Sequence, residues 1–179
     1  GVIFEVWQWE QTMFDGSVQT FERLKRPNGT NVITVIDDRI LVQTQRQPDK
    51  IDAFSSLPGG RIEEGENPLE GAKRELLEET GYASDDWELL HEIDPIGKIE
   101  WTVYTYIARN CAFTRQPQLD AGEEITSRLL DFDEFLLLSD DLSFYGPELV
   151  RKMVRCRYNN EEKEEFRCLL WPSQEKVAK

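Results

Sequence analysis

Residues 60–82 read GRIEEGENPLEGAKRELLEETGY, a glycine-containing turn followed by a strong helix signal. Asn67 can cap the helix, Pro68 suits its first position, and Glu70 can complete a capping box. Gly81 fits the left-handed residue that commonly ends a helix. The stretch therefore predicts a capped helix that begins at Asn67 and ends at Gly81.

The predicted helix has two faces of different character. Each residue turns about 100° around the axis, so one stripe is apolar and can anchor the helix to a core: Leu69, Ala72 and Leu76. A neighbouring side carries carboxylates that lie close together: Glu75, Glu78 and Glu79. A hard divalent cation such as Mg²⁺ or Mn²⁺ would offset their repulsion, because it prefers oxygen ligands. The alternative is a solvated acidic face.

The glycine turn and the carboxylates also stand at the spacing of a known motif. The Nudix box is G-x5-E-x7-R-E-U-x-E-E-x-G-U, with U a bulky apolar residue, and the matching positions are Gly60, Glu66, Arg74, Glu75, Leu76, Glu78, Glu79, Gly81 and Tyr82. The chain thus resembles the Nudix hydrolases. The resemblance implies an α/β fold, the Nudix α/β/α sandwich with a mixed sheet and a catalytic loop-helix-loop. It also implies hydrolysis of a diphosphate bond assisted by Mg²⁺ or Mn²⁺.

By position, the resemblance implies a role for several residues of this segment. Metal ligands are expected at the box glutamates and at the backbone carbonyl just before the box: Gly59, Glu75, Glu78 and Glu79. Glu66 is expected to orient Arg74, which the resemblance places among the catalytic groups together with Glu79. From the residues alone, Arg74 could also pair with Glu78.

A weaker resemblance to the ADP-ribose pyrophosphatase branch covers most of residues 18–138. It rests on short segments on both sides of the box: residues 21–27, 32–36, 45–48, 57–60, 95–97 and 122–125. In that branch an acidic loop follows the box, so Glu123 is expected to be a general base or an extra metal ligand, with Glu124 as the alternative. An exposed acidic turn is the other interpretation of this pair.

Substrate contacts are expected from residues on the N-terminal side of the box. Arg46 is a candidate for binding a phosphate through two hydrogen bonds, with a surface salt bridge as the alternative. Arg23 and Arg26 are further candidates. The resemblance suggests that an N-terminal aromatic stacks on the adenine, for which we name Trp9, although aromatics on a strand more often belong to a core or an interface.

The chain departs from the pattern of this branch at three places. Ser56 stands where a glutamate is common, and Gly59 replaces a common alanine. Thr44 separates Gln43 from Gln45, where the branch has an aromatic between glutamine and arginine. These departures bear on the recognition of the base or sugar more than on hydrolysis.

The first functional hypothesis is hydrolysis of ADP-ribose to AMP and ribose 5-phosphate. A second is another nucleotide-sugar or NTP/dNTP pyrophosphohydrolase of the same fold. A third is a non-catalytic Nudix domain that senses a nucleotide, which the intact glutamates of the box disfavour. Action on capped RNA fits poorly with the net charge of −14.

Composition and charge also limit the classes of binding partner that are expected. A net charge of −14 argues against broad nucleic-acid binding, and the sequence has no apolar run of about 20 residues, the length of a membrane span. Three cysteines without a CxxC pair suggest free thiols in the cytoplasm. The expected partner is a small nucleoside diphosphate derivative, and the resemblance suggests a homodimer.

The expected organisation is a single Nudix domain over residues 1–179. Residues 1–26 are predicted to form strands of a dimerisation sheet, and residues 147–179 a C-terminal helical extension. Strands are expected at residues 2–9, 18–24, 32–36, 40–44, 87–93, 99–108 and 127–130. Further helices are expected at residues 133–138, 147–157 and 161–169.

Overall fold

A computed structural model describes residues 1–172 of the chain. Its first helix, α1, spans Pro68–Thr80, as the sequence predicts. Asn67 caps it by accepting a hydrogen bond from the Glu70 amide at 3.0 Å, and Gly81 ends it with φ 74°. The predicted reciprocal half of the capping box is wrong, because the Glu70 carboxylate pairs with Lys73 at 2.9 Å instead.

The main sheet is mixed and has the strand order β11-β4-β3-β9-β7, with β5 added beside β4. Strand β3 runs parallel to β9, whereas the other neighbours in this sheet are antiparallel. Its strands are β3 (Gly29–Ile36), β4 (Arg39–Arg46), β5 (Phe54–Ser56), β7 (Asp86–Ile93), β9 (Val103–Arg109) and β11 (Glu124–Leu130).

Helices cover both faces of this sheet. On one face, Ala72 and Leu76 of α1 pack with Val32 of β3. On the other, Ile33 of the same strand packs in a larger core with α2 (Phe132–Leu137), α3 (Pro147–Tyr158) and α4 (Asn160–Leu170). Because Val32 and Ile33 are neighbours, they point to opposite faces. The result is the expected α/β/α sandwich.

A smaller sheet lies at the N-terminus. Strands β1 (Glu5–Thr12) and β2 (Val18–Lys25) form a hairpin, and β8 (Ile99–Glu100) pairs with β2. The expected strand at residues 99–108 is therefore divided between two sheets, β8 in this one and β9 in the main one. A pair of two-residue strands, β6 (Tyr82–Ala83) and β10 (Ala112–Phe113), completes the list.

The predicted C-terminal helices form one layer of the sandwich. Leu149 and Met153 of α3 and Phe166 of α4 are fully buried. The end of the predicted extension, residues 173–179, lies outside the described residues. Within residues 1–172, none of the helices combines the length and the apolar character that crossing a bilayer requires.

Candidate active site

The loop that leads into the box lies against β3. The amides of Val32 and Thr30 donate to the carbonyls of Pro58 and Gly60 at 2.8 and 2.9 Å. Gly59 has φ 150°, and a Cβ there would overlap the carbonyl oxygen of Thr30. Only glycine fits this approach, which brings the Gly59 amide within 2.9 Å of Glu79 Oε2.

We therefore expect Gly59→Ala to destabilise the fold, although alanine is common at this position in the resembling branch. The added methyl must displace Thr30 or the loop, at a cost of about 2–4 kcal/mol in the free energy of unfolding. Urea denaturation measures this cost. Gly97→Ala is the matched control, because a Cβ at Gly97 meets no atom within 4 Å. Equal stabilities of the two variants would contradict the expectation.

Arg74 forms hydrogen bonds with three acidic residues of the box. Its Nε and one Nη donate to Glu66 at 3.0 and 3.1 Å, while the other Nη donates to Glu75 at 2.9 Å and to Glu78 at 3.1 Å. The Arg61 carbonyl accepts a further bond at 2.9 Å. All five N–H groups of the guanidinium are thus used by the chain itself. Both of the expected contacts, with Glu66 and with Glu78, are present.

Glu79 is the most deeply buried carboxylate of the box. It is 6% exposed, and its Oε2 accepts hydrogen bonds from the Gly59 amide and from Gln43 Nε2, the latter at 3.1 Å. Both donors are neutral. Burial raises the pKa of Glu79 to about 8, against the opposing effect of the Gly59 hydrogen bond. The carboxylate is therefore held in place without a compensating positive charge.

Glu75 and Glu78 lie beside it on the same helix. Burial raises the pKa of Glu75, although the charge of Arg74 opposes the shift. Gly60 leaves room for this carboxylate, because a Cβ there would lie 2.5 Å from Glu75 Oε1. Glu78 is more exposed than Glu75.

The two acidic residues of the later loop have different surroundings. Glu123 lines the same cleft as Glu79, and burial raises its pKa, with the nearby charges of Asp120 and Glu78 acting in the same direction. Glu124 is the first residue of β11 and pairs with Arg46 at 3.1 Å, with both side chains largely exposed. Neither Arg46 nor Glu124 lines the cleft.

The predicted site residues therefore separate into two groups. The structure brings the box residues, Glu123 and Arg26 to one cleft: Arg26, Gly59, Arg74, Glu75, Glu78, Glu79 and Glu123. It places the others elsewhere. Arg46 and Glu124 form an exposed ion pair, Trp9 packs on Phe21 at 6.0 Å in the small sheet, and Arg23 lines a separate groove.

The cleft consists of two adjoining cavities, of about 430 and 380 Å³. Both are lined by Glu79, Glu123 and Gln47. The guanidinium of Arg26 lies over the ring of Trp101, 4.5 Å from its centre. Within residues 1–172, Arg26 Nε and Trp101 Nε1 are buried and have no hydrogen-bond partner.

Sequence analysis missed Gln43 as a residue of this site. Gln43 is fully buried and bonds Glu79, and Gln45 Nε2 donates to Gln43 Oε1 at 2.8 Å. The available signal was alternation, since Gln43, Gln45 and Gln47 occupy every second position of one strand and its end. Lys50, in the next turn, was also missed.

The carboxylates suit a hard divalent cation. Glu79 and Glu75 offer oxygen ligands from a partly dry environment, and a cation would favour the ionised form of Glu79 over the protonated form that burial favours. In the described part of the chain, no three acidic, histidine or cysteine side chains converge on one point.

This arrangement defines a class of protein, an α/β/α domain that presents a helix of carboxylates to a polar cleft. Residues 25–152 match the NUDIX domain, which is more than half of the chain, so the chain belongs to this family. Its members are usually pyrophosphohydrolases and generally depend on divalent metals.

Three similar proteins add detail. The chain is 25% identical to the methanol dehydrogenase activator of Bacillus methanolicus over 140 residues, covering 76% of this chain and 75% of that one. It is 31% identical to the ADP-ribose pyrophosphatase of Bacillus subtilis (strain 168) over 86 residues, covering 47% and 46%. A crystal structure of an ADP compounds hydrolase shares the fold, with a TM-score of 0.74, 20% identity, and 92% and 89% coverage.

Proposed function

We propose that this chain hydrolyses the diphosphate bond of a nucleoside diphosphate derivative with Mg²⁺ or Mn²⁺, and that ADP-ribose is its substrate, giving AMP and ribose 5-phosphate. The observation that carries the proposal is the position of Glu123, which lines one cleft with the buried glutamates of α1. The similarity to an ADP-ribose pyrophosphatase supports the choice of substrate.

The residues of the cleft divide the chemical tasks. Glu75, Glu79, Glu78, the Gly59 carbonyl and Glu123 are the candidate metal ligands. A bound divalent cation would neutralise the diphosphate and stabilise the charge that develops on it as water attacks phosphorus. Arg74 keeps Glu75 and Glu78 in place through the bonds described above. Arg26, which lines both cavities, is a candidate for a contact with the nucleotide.

Glu123 is the candidate general base. Burial raises its pKa above the ordinary value of 4.5, which makes its carboxylate a stronger acceptor for the proton of the attacking water. We therefore expect Glu123→Gln to lower kcat by about 100-fold. Glu124→Gln is the matched control and should change kcat less than about twofold, because Glu124 pairs with Arg46 outside the cleft.

Steady-state rates at saturating Mg²⁺ measure both variants. A Glu124→Gln variant with the larger loss would reverse the assignment of the base. Equal, small effects would show that neither residue is the base.

Arg46, Arg23 and Trp9 do not line the cleft, so their predicted contacts with substrate require another arrangement of the protein. Arg46 pairs with Glu124 and does not line the cleft, so the surface ion pair is the interpretation that its position favours. Trp9 and Arg23 could contact a ligand of a second copy, if the sheet of residues 1–26 forms the proposed homodimer. Exposed apolar side chains on that sheet, Val6, Trp7 and Val18, support this proposal. A cytoplasmic location stays a prediction.

A substrate panel tests the function directly. Purified protein with Mg²⁺ is given ADP-ribose, GDP-mannose, NADH, Ap4A and dNTPs, and the products are separated by chromatography. AMP from ADP-ribose as the leading activity supports the proposal. Preference for another compound would favour the alternative of a different nucleotide-sugar or NTP/dNTP pyrophosphohydrolase, and nucleotide binding without turnover would favour a sensor.

A further inference from the structure

We propose that Lys50, Phe54 and Tyr145 form a subsite for a hydroxylated, uncharged sugar on the far side of the diphosphate. These three residues, here called the Lys50 cluster, come from outside the Nudix box. The inference rests on the proposed function, because it assumes that a diphosphate occupies the carboxylate end of the cleft.

The Lys50 cluster is within reach of a substrate on the carboxylates. One cavity contains the box glutamates Glu75 and Glu78, and the adjoining one contains the Lys50 cluster. Glu79 and Glu123 line both cavities, so they mark the boundary between the two. A ligand whose diphosphate lies on the glutamates can therefore extend past Glu79 into the Lys50 cluster.

The backbone fixes the Lys50 cluster in place. The Tyr145 amide donates to the Ser55 carbonyl at 2.7 Å, which joins the segment before α3 to β5. Phe54 is buried and meets the Tyr145 ring edge-on at 6.1 Å. Tyr145 nevertheless remains half exposed. A half-exposed aromatic ring with an anchored backbone, facing a polar cleft, is typical of a ligand contact.

Lys50 supplies hydrogen-bond donors. Its Nζ lies 3.6 Å from the centre of the Phe54 ring and 4.7 Å from that of Tyr145. In the described part of the chain Lys50 takes part in no ion pair. An ammonium that lies over two rings and pairs with no carboxylate has N–H groups that can donate hydrogen bonds to a ligand.

The surroundings favour a sugar over a base or a phosphate. The ammonium of Lys50 lies over one face of each ring, and a base cannot stack on that face while the ammonium is there. Asp49 lines the same cavity and would repel a terminal phosphate. Hydroxyl groups suit this mixture, because they can accept from Lys50 and donate to Asp49 or to the amide oxygen of Gln47.

Calorimetric titration with two non-hydrolysable ligands tests the inference. The ligands are α,β-methylene ADP-ribose and α,β-methylene ADP supplied as its β-methyl ester, both in the presence of Mg²⁺. The ester gives both diphosphates the same charge, so the ligands differ in the terminal ribose. The wild-type protein should bind the ribose-containing ligand about tenfold more tightly. Lys50→Met and Tyr145→Ala should each abolish this difference, while the affinity for α,β-methylene ADP stays within about twofold of wild type.

Two further variants sharpen the result. Tyr158→Ala removes a tyrosine that is 83% exposed on α3 and should leave both affinities unchanged. Tyr145→Phe retains the ring and loses the hydroxyl, so an intermediate ratio would support a hydroxyl contact in addition to the ring.

The outcomes separate the inference from the proposed function. If wild-type protein binds α,β-methylene ADP equally well or better, or if the variants weaken both ligands alike, the sugar subsite is overturned and the proposed function stands. If neither ligand binds the wild-type protein, both are overturned.

Discussion

Replacing Glu79 by glutamine is expected to lower kcat by about three orders of magnitude for the substrate that the panel identifies. The substitution removes one negative charge from the candidate metal site. It should preserve the local structure, because the Gly59 amide and Gln43 both donate to one oxygen of Glu79, and the glutamine carbonyl can accept the same bonds. Glu64→Gln, in the exposed part of the loop before α1, is the control. A normal rate in Glu79→Gln would contradict the assignment of the metal site.

In EDTA, the stability of Glu79→Gln should depend on pH less steeply than the stability of wild type. Burial raises the pKa of folded Glu79 from 4.5 to about 8, so the folded state holds a proton that the unfolded state releases. Stability therefore falls as the pH rises through this interval. The loss is on the order of a few kcal/mol, since each unit of pKa corresponds to about 1.4 kcal/mol.

Urea denaturation between pH 5 and 9 measures this loss. Glu79→Gln should flatten the decline and be more stable than wild type at pH 9, while added Mg²⁺ should stabilise wild type more than the variant. An identical decline in both proteins would show that Glu79 ionises in the folded state at no cost.

Replacing Arg74 by methionine is expected to destabilise the protein by about 2–3 kcal/mol. The change removes the charge that holds Glu66, Glu75 and Glu78 together, and three carboxylates then repel one another. We set the effect below that of a fully buried pair because the Arg74 side chain is 25% exposed.

Arg46→Met provides the comparison for this prediction. Arg46 also forms an ion pair, with Glu124, but its side chain is 70% exposed, so the loss should stay within about 0.5 kcal/mol. Chemical denaturation at pH 7 measures both variants. Similar losses of stability in the two variants would show that the ion pairs of Arg74 contribute no more than an exposed pair.

Local signals explain why so much of the fold could be predicted. The cap at Asn67, the glycine at position 81 and the apolar stripe of α1 lie within one short segment. Each of these signals can be recognised from neighbouring residues alone. The apolar and β-branched segments 32–36 and 40–44 likewise predicted the strands β3 and β4. The division of residues 99–108 was missed because it depends on β2, to which β8 pairs from far along the chain.

The site was harder to predict where it depends on register and on distant contacts. The pairing of Glu124 with Arg46 across β11 and β4 separates Glu124 from Glu123, and no local pattern distinguishes these two glutamates. The contact of Gln43 with Glu79 joins a strand to α1. The Lys50 cluster likewise arises only when the segment before α3 returns to β5.

The complete use of the Arg74 guanidinium limits what can replace it. A lysine carries the same charge, but its ammonium has three donors against five and no flat fork that reaches several acceptors at once. Conserving the charge would therefore leave some of these acceptors without a donor. A substrate phosphate would therefore find no unused N–H group on this side chain, so we expect Arg74 to affect turnover only by positioning the glutamates.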